Sequence, residues 1–160
     1  MFFRNWRASF SIAVILLMTG CKARQPGKAE TVIIGAIKRR VTIRGSEKNP
    51  LEATPQEIDS GRKAFGQYCM VCHGLDGQNT GVPFADRVSP PVPDLSSPQV
   101  QRYSDGQLKR IIDDGIFPSG MPASRGILSD DEIWRIVVYL RHLPGKGSLG
   151  EPAVYGGTAP

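Results

Sequence analysis

Apolar residues recur at helical spacing in three stretches of the chain beyond residue 50. In the first, Ile58, Gly61, Phe65 and Tyr68 fall on one face of a helix. Thr54-Pro55-Gln56-Glu57 supplies its start, with Thr54 as N-cap, Pro55 in the first turn and Glu57 placed to reach back to the cap. In the second, Ser104-Asp105-Gly106-Gln107 caps a helix that turns Leu108, Ile111 and Ile112 inward and stops at Gly115. The third opens at Ser129-Asp130-Asp131-Glu132 with another capping box. Ile133, Ile136, Val137 and Leu140 form its buried stripe, Trp134 and Tyr139 add bulk, and Pro144-Gly145 ends it.

Between these helices the pattern is lost. Gly74, Asp76-Gly77-Gln78-Asn79 and Thr80-Gly81 predict a turn-rich loop, and Pro90-Pro91-Val92-Pro93-Asp94-Leu95 is too rich in proline for regular structure. Residues 116–128 form a Gly/Pro-punctuated loop containing Ser119-Gly120-Met121-Pro122. Beyond residue 144 the Gly-rich tail, 145–160, is expected to be flexible and without a role.

The first helical pattern runs straight into Cys69-Met70-Val71-Cys72-His73, where two thiols and an imidazole are held in local register. C-x-x-C-H reads as a c-type haem attachment site. The thiols add across the two vinyl groups of one porphyrin, and the adjacent His73 reaches the iron from the face the peptide covers, as proximal ligand. Two other chemistries use this spacing. A redox dithiol should follow a strand and open a helix, whereas here a helix leads into the motif. A zinc site needs a second pair of ligands, and the remaining cysteine, Cys21, is far upstream. With one such motif and no internal repeat, one covalent haem c per chain is expected.

Charge divides the chain in two. Residues 22–50 carry eight Lys/Arg against two Glu, while residues 51–160 carry ten Lys/Arg against thirteen Asp/Glu. The net charge of +5 therefore belongs to a leader, and the remainder is mildly acidic. No aromatic residue interleaves the basic ones, which favours a membrane surface over nucleic acid as the leader's partner. Ahead of it, Arg4 and Arg7 precede an uncharged segment, 8–18, of signal-peptide length and too short to span a bilayer comfortably. The segment ends in Leu17-Met18-Thr19-Gly20-Cys21, which resembles the lipobox of bacterial lipoproteins except that Met18 stands where Leu is usual. Cys21 would then be lipidated as the first residue of the mature chain. An ordinary secretory signal is the alternative, and both export the product. Residues 1–20 are thus expected to be a signal peptide and 21–51 a basic tether, flexible despite the β-branched runs Thr31-Val32-Ile33-Ile34 and Val41-Thr42-Ile43.

Gly61 and Phe65 stand eight and four residues before Cys69. Together with the haem motif, the later Gly120-Met121-Pro122 and the aromatic C-terminal helix, in that order, they make residues 52–144 resemble the class I cytochromes c. The resemblance implies an all-α domain of three main helices wrapped around one haem, serving electron transfer, with redox proteins as partners and no small-molecule substrate or catalysed reaction. In that family a Pro carbonyl from the loop after the motif supports the proximal His, which nominates Pro90 and Pro91. It also implies a Met as the sixth ligand. Met1 and Met18 leave with the signal and Met70 is pinned within the motif, so Met121 is the expected axial residue. His142, near the end of the third helix, is the rival. The whole is then a membrane-anchored lipoprotein on the periplasmic side of a bacterium, either a tethered carrier or a permanent haem subunit of a larger membrane-bound oxidoreductase.

Overall fold

The computed structural model describes residues 47–117 and 119–157. The expected signal peptide, Cys21 and nearly all of the basic tether lie outside the described residues. Thr54 caps helix α1 (Pro55–Tyr68), its hydroxyl accepting from the Glu57 amide at 3.2 Å. Glu57, expected to reach back to the Thr54 amide, instead pairs with Arg135 at 2.8 Å, and the Thr54 amide donates to the Glu52 carbonyl. A four-residue helix, α2 (Met70–His73), follows at once. Two further helices precede the last: the short α3 (Pro98–Gln101) and α4 (Asp105–Asp114). The last is α5 (Asp130–Leu140). At α4 and α5 the serine N-caps, Ser104 and Ser129, both complete the reciprocal capping box with Gln107 and Glu132. Among the described residues there is no strand, only isolated bridges between Ile116 and Met121 and between Arg125 and Leu128, as an all-α fold requires.

Helices α1 and α5 form the principal pair, with α4 packed on α5. Gly61 makes the first contact possible. A Cβ at that position would lie 2.0 Å from the Arg135 carbonyl oxygen and 3.0 Å from the Tyr139 Cβ, and a backbone carbonyl cannot move aside cheaply. One turn on, Phe65 meets Tyr139 with ring centroids 5.3 Å apart and tilted by 58°. These two rings join Leu108, Ile112, Leu128, Ile133, Trp134, Ile136, Val137 and Leu140 in one buried cluster. Each such aliphatic or Phe side chain contributes about 1.5–3 kcal/mol relative to leaving it in water. Tyr68, expected on the same inward face, is half exposed, and Ile111 is only partly buried.

The last helix ends at Leu140 rather than running on to Pro144. Pro144 disfavours helical backbone at Leu143 before it. Arg141, at the C-cap, turns its guanidinium to Asp105, to the Gln101 carbonyl and to the Tyr103 carbonyl, and so clasps the corner between α3 and α4. The tail departs furthest from expectation. Residues 145–157 return across the molecule, Pro152 is fully buried, and Ala153–Tyr155 forms a turn of 3₁₀ helix.

Candidate functional site

Cys69 closes α1 and opens α2. Its amide donates to the Phe65 carbonyl, and its own carbonyl accepts from the amides of Cys72 (3.1 Å) and His73 (3.0 Å). One short turn of helix thus carries both thiols and the imidazole, next along the chain from Phe65. The His73 ring centroid is 6.5 Å from that of Phe65. At Gly74 the chain turns sharply with φ +71°, and a Cβ there would meet the Thr80 amide at 2.8 Å.

Polar side chains hold the loop that follows. The Asp76 carboxylate is fully buried and accepts from the Gln78 amide (2.9 Å), the Thr80 hydroxyl (2.5 Å) and the Gly147 amide (2.8 Å). Burial alone would raise its pKa, but these donors hold it below the ordinary carboxylate value. The Asn79 amide donates to the His73 carbonyl (2.9 Å), and its side chain donates to the Val92 carbonyl (2.8 Å), tying the proline-rich segment to the motif. The Pro93 backbone carbonyl lies near the His73 ring without a hydrogen bond to it. Pro90 and Pro91, nominated from the sequence, are exposed, as Pro93 is, and Asn79 holds the neighbouring Val92 carbonyl.

Electrostatics separate the three motif chemistries. Burial pushes the Cys69 thiol up to about 12, the neighbouring Cys72 adding to the effect. An activated dithiol needs a lowered pKa, so redox exchange is disfavoured. Among the described residues no group of three or more His, Cys, Asp and Glu is arranged to hold a metal ion. Burial lowers the pKa of His73, with the Pro93 carbonyl acting in the opposite direction. That carbonyl makes no hydrogen bond to the ring, and His73 Nδ1 is buried without a partner. An imidazole with an unpartnered buried nitrogen, beside two half-buried free thiols, fits a covalently attached metalloporphyrin.

The loop between α4 and α5 brings Met121 to the same apolar cluster that Cys69 borders. Its carbonyl accepts from the Ile116 amide at 3.0 Å, and Ser124 binds the Ile112 carbonyl through both amide and hydroxyl. Gly115 is needed at the turn, since a Cβ there would meet the Met121 carbonyl oxygen at 2.6 Å. His142 is exposed, and its Nδ1 donates to the Val138 carbonyl (2.8 Å) one turn back on α5. Asp76, Asn79, Pro93 and Tyr155, which donates to the Val71 carbonyl, carried no signal of their own in the sequence beyond turn-forming residue types.

A family model described as cytochrome C oxidase, cbb3-type, subunit III matches residues 56–140, more than half of the chain. Among curated proteins, the chain is similar to the quinohemoprotein alcohol dehydrogenase ADH IIB of Pseudomonas putida, with 28% identity over 92 residues. That match covers 57% of this chain and 12% of the dehydrogenase, so the likeness is to one part of a much longer protein. No described helix is long and apolar enough to cross a membrane. The chain belongs to the cbb3-type cytochrome c oxidase subunit III family, and its helical domain is a c-type cytochrome domain that binds covalent haem c and transfers electrons between redox partners.

Proposed function

We propose that the domain, residues 52–144, carries electrons through one haem c joined to Cys69 and Cys72, with His73 and Met121 as axial ligands. The observation that carries this reading is the buried, unpartnered His73 nitrogen beside two half-buried thiols on one turn of helix. When bound, the haem supplies a one-electron couple, and His/Met ligation sets it at high potential. The protein's residues do the rest. Phe65 and Tyr139 exclude water behind the imidazole, the turn 74–81 orients it, and the loop 116–128 brings a thioether to the same apolar cluster. Members of the catalytic repertoire such as a general base or an activated nucleophile are not required. An optical spectrum and redox titration of the purified protein test the ligand set, and peptide mass mapping locates the attached haem.

The lipobox-like Leu17-Met18-Thr19-Gly20-Cys21 and the basic segment after it support a second part of the reading, a lipidated, exported protein tethered to a membrane. A tether confines the domain near one surface and raises its local concentration for membrane-bound partners. Intact mass should show an acylated Cys21, and Cys21→Ser should release the protein or block its maturation. A free N-terminus downstream of Cys21 would contradict the tether. The family's description as an oxidase subunit favours an alternative, in which the chain is a permanent haem subunit of a larger membrane-bound oxidoreductase. Sizing after mild detergent extraction separates the two, since a carrier elutes alone and a subunit elutes with its complex.

A further inference from the structure

The tail, expected to be idle, is joined to the haem motif at several points. The Tyr155 hydroxyl donates to the Val71 carbonyl (2.7 Å), and its ring meets Phe84 edge-on with centroids 6.2 Å apart. The Glu151 side chain lies over Gly81 so closely that a Cβ at that glycine would be 2.6 Å from the Glu151 Cβ. Pro152 between them is fully buried. The Gly147 amide donates to Asp76, and Gln78 donates to the Pro144 carbonyl (2.8 Å) where the tail begins. Both the outer side of α2 and the turn after His73 are therefore held by the same distant segment.

These bonds connect to the site through a short chain of contacts. Asp76 Oδ2 has two donors, Thr80 and Gly147, and the second belongs to the tail. A buried carboxylate stripped of a donor either draws in water or moves. The turn it holds contains Asn79, which binds the His73 carbonyl on one side and the Val92 carbonyl, next to Pro93, on the other. Tyr155 acts on the same helix two residues before His73.

We propose that residues 145–157 are a strap, anchored at Asp76 and Tyr155, that positions His73 for its cofactor and keeps water from the turn that Asp76 holds. Asp76, Gly147 and Tyr155 are thus positioning residues for the haem. The inference rests on the site reading given above, because it takes His73 as the ligand being positioned.

The test uses the mature holoprotein as full chain, as a chain ending at Gly145, as Tyr155→Ala and as Tyr155→Phe. Three quantities are compared: haem attached at Cys69 and Cys72 by peptide mass, amide exchange across residues 71–82, and midpoint potential. The truncated chain should keep its haem, exchange the Asn79 and Gly74 amides about tenfold faster or more, and show a lowered potential as water reaches the site. Tyr155→Ala should shift both quantities in the same direction by less, and Tyr155→Phe, which keeps the ring on Phe84, should recover part of the loss. Unchanged exchange and unchanged potential in the truncated chain and in Tyr155→Ala would overturn the strap. If the truncated chain does not mature, Tyr155→Ala decides alone by the same two readouts. Haem found away from Cys69 and Cys72 would instead defeat the site reading, whereas faster exchange in the same variants would still report a strap.

Discussion

The helix pair α1/α5 and the loops that build the site are held by different physics. The pair is joined by apolar faces and one glycine that lets two backbones touch, with Phe65 on Tyr139 beside it. The loops have few apolar side chains in the core and are held by polar groups that find partners far along the chain: Asp76 with Gly147, Asn79 with Val92, Gln78 with Pro144. Close packing makes the pair intolerant of added volume. A polar node makes the loops intolerant of a lost partner and sensitive to pH.

The largest effect should come where the two regions meet. His73→Ala removes the imidazole around which both are arranged and should leave almost no stable holoprotein, while Cys69→Ser or Cys72→Ser should weaken covalent attachment. Haem per chain measures both, and an equally helical, equally stable haem-free chain by circular dichroism would break the account. Next, Gly61→Ala should destabilise the holoprotein by about 3 kcal/mol, the upper range of overpacking, because the new Cβ strikes the Arg135 carbonyl. Gly66→Ala on the same helix meets nothing within 4 Å and should gain up to about 1 kcal/mol. Denaturant unfolding of the two variants side by side checks the contrast.

For the loops, Asp76→Asn should cost about 1–3 kcal/mol near neutral pH. The Asp76 pKa is held below its ordinary value of 3.8 in the folded state, so its stabilisation is fully present above that value. It is lost as pH falls from about 4 through the folded pKa. Unfolding free energy against pH should therefore drop in wild type over that acid window and less steeply in Asp76→Asn. The smallest effect is local: Ser129→Ala removes an N-cap and should cost about 1 kcal/mol, read by the same unfolding curves without change in potential.

The same contrast explains what could be read in advance. Thr54, Ser104 and Ser129 announce helices to residues three positions away, and the stripe from Ile133 to Leu140 repeats within one element, so both are legible locally. Gly61 was legible from its place eight residues before Cys69 in the resemblance and not from being glycine, since the interior Gly66 of the same helix has nothing within 4 Å. The motif's chemistry was legible because its three donors are contiguous. The hold on the proline-rich segment depends on an Asn side chain thirteen residues before Val92, and the docked tail depends on a carboxylate 71 residues before Gly147. Neither leaves any periodicity in the chain. The half-exposed Tyr68 shows the limit of a period even within a helix, since it falls at the end of α1, where the chain already turns into α2.

The central claim is that His73 and Met121 are the two axial ligands, and the sulfur-to-iron charge-transfer band of the oxidised protein tests it most directly. Met121 packs against the apolar core that Cys69 also borders, while His142 is exposed, with its Nδ1 on the Val138 carbonyl. Wild type and His142→Ala should both show the band, and Met121→Ala should lose it, with a lowered potential and an iron open to small exogenous ligands. A band that survives in Met121→Ala, or an oxidised wild-type protein that has none and is altered only by His142→Ala, would contradict the account.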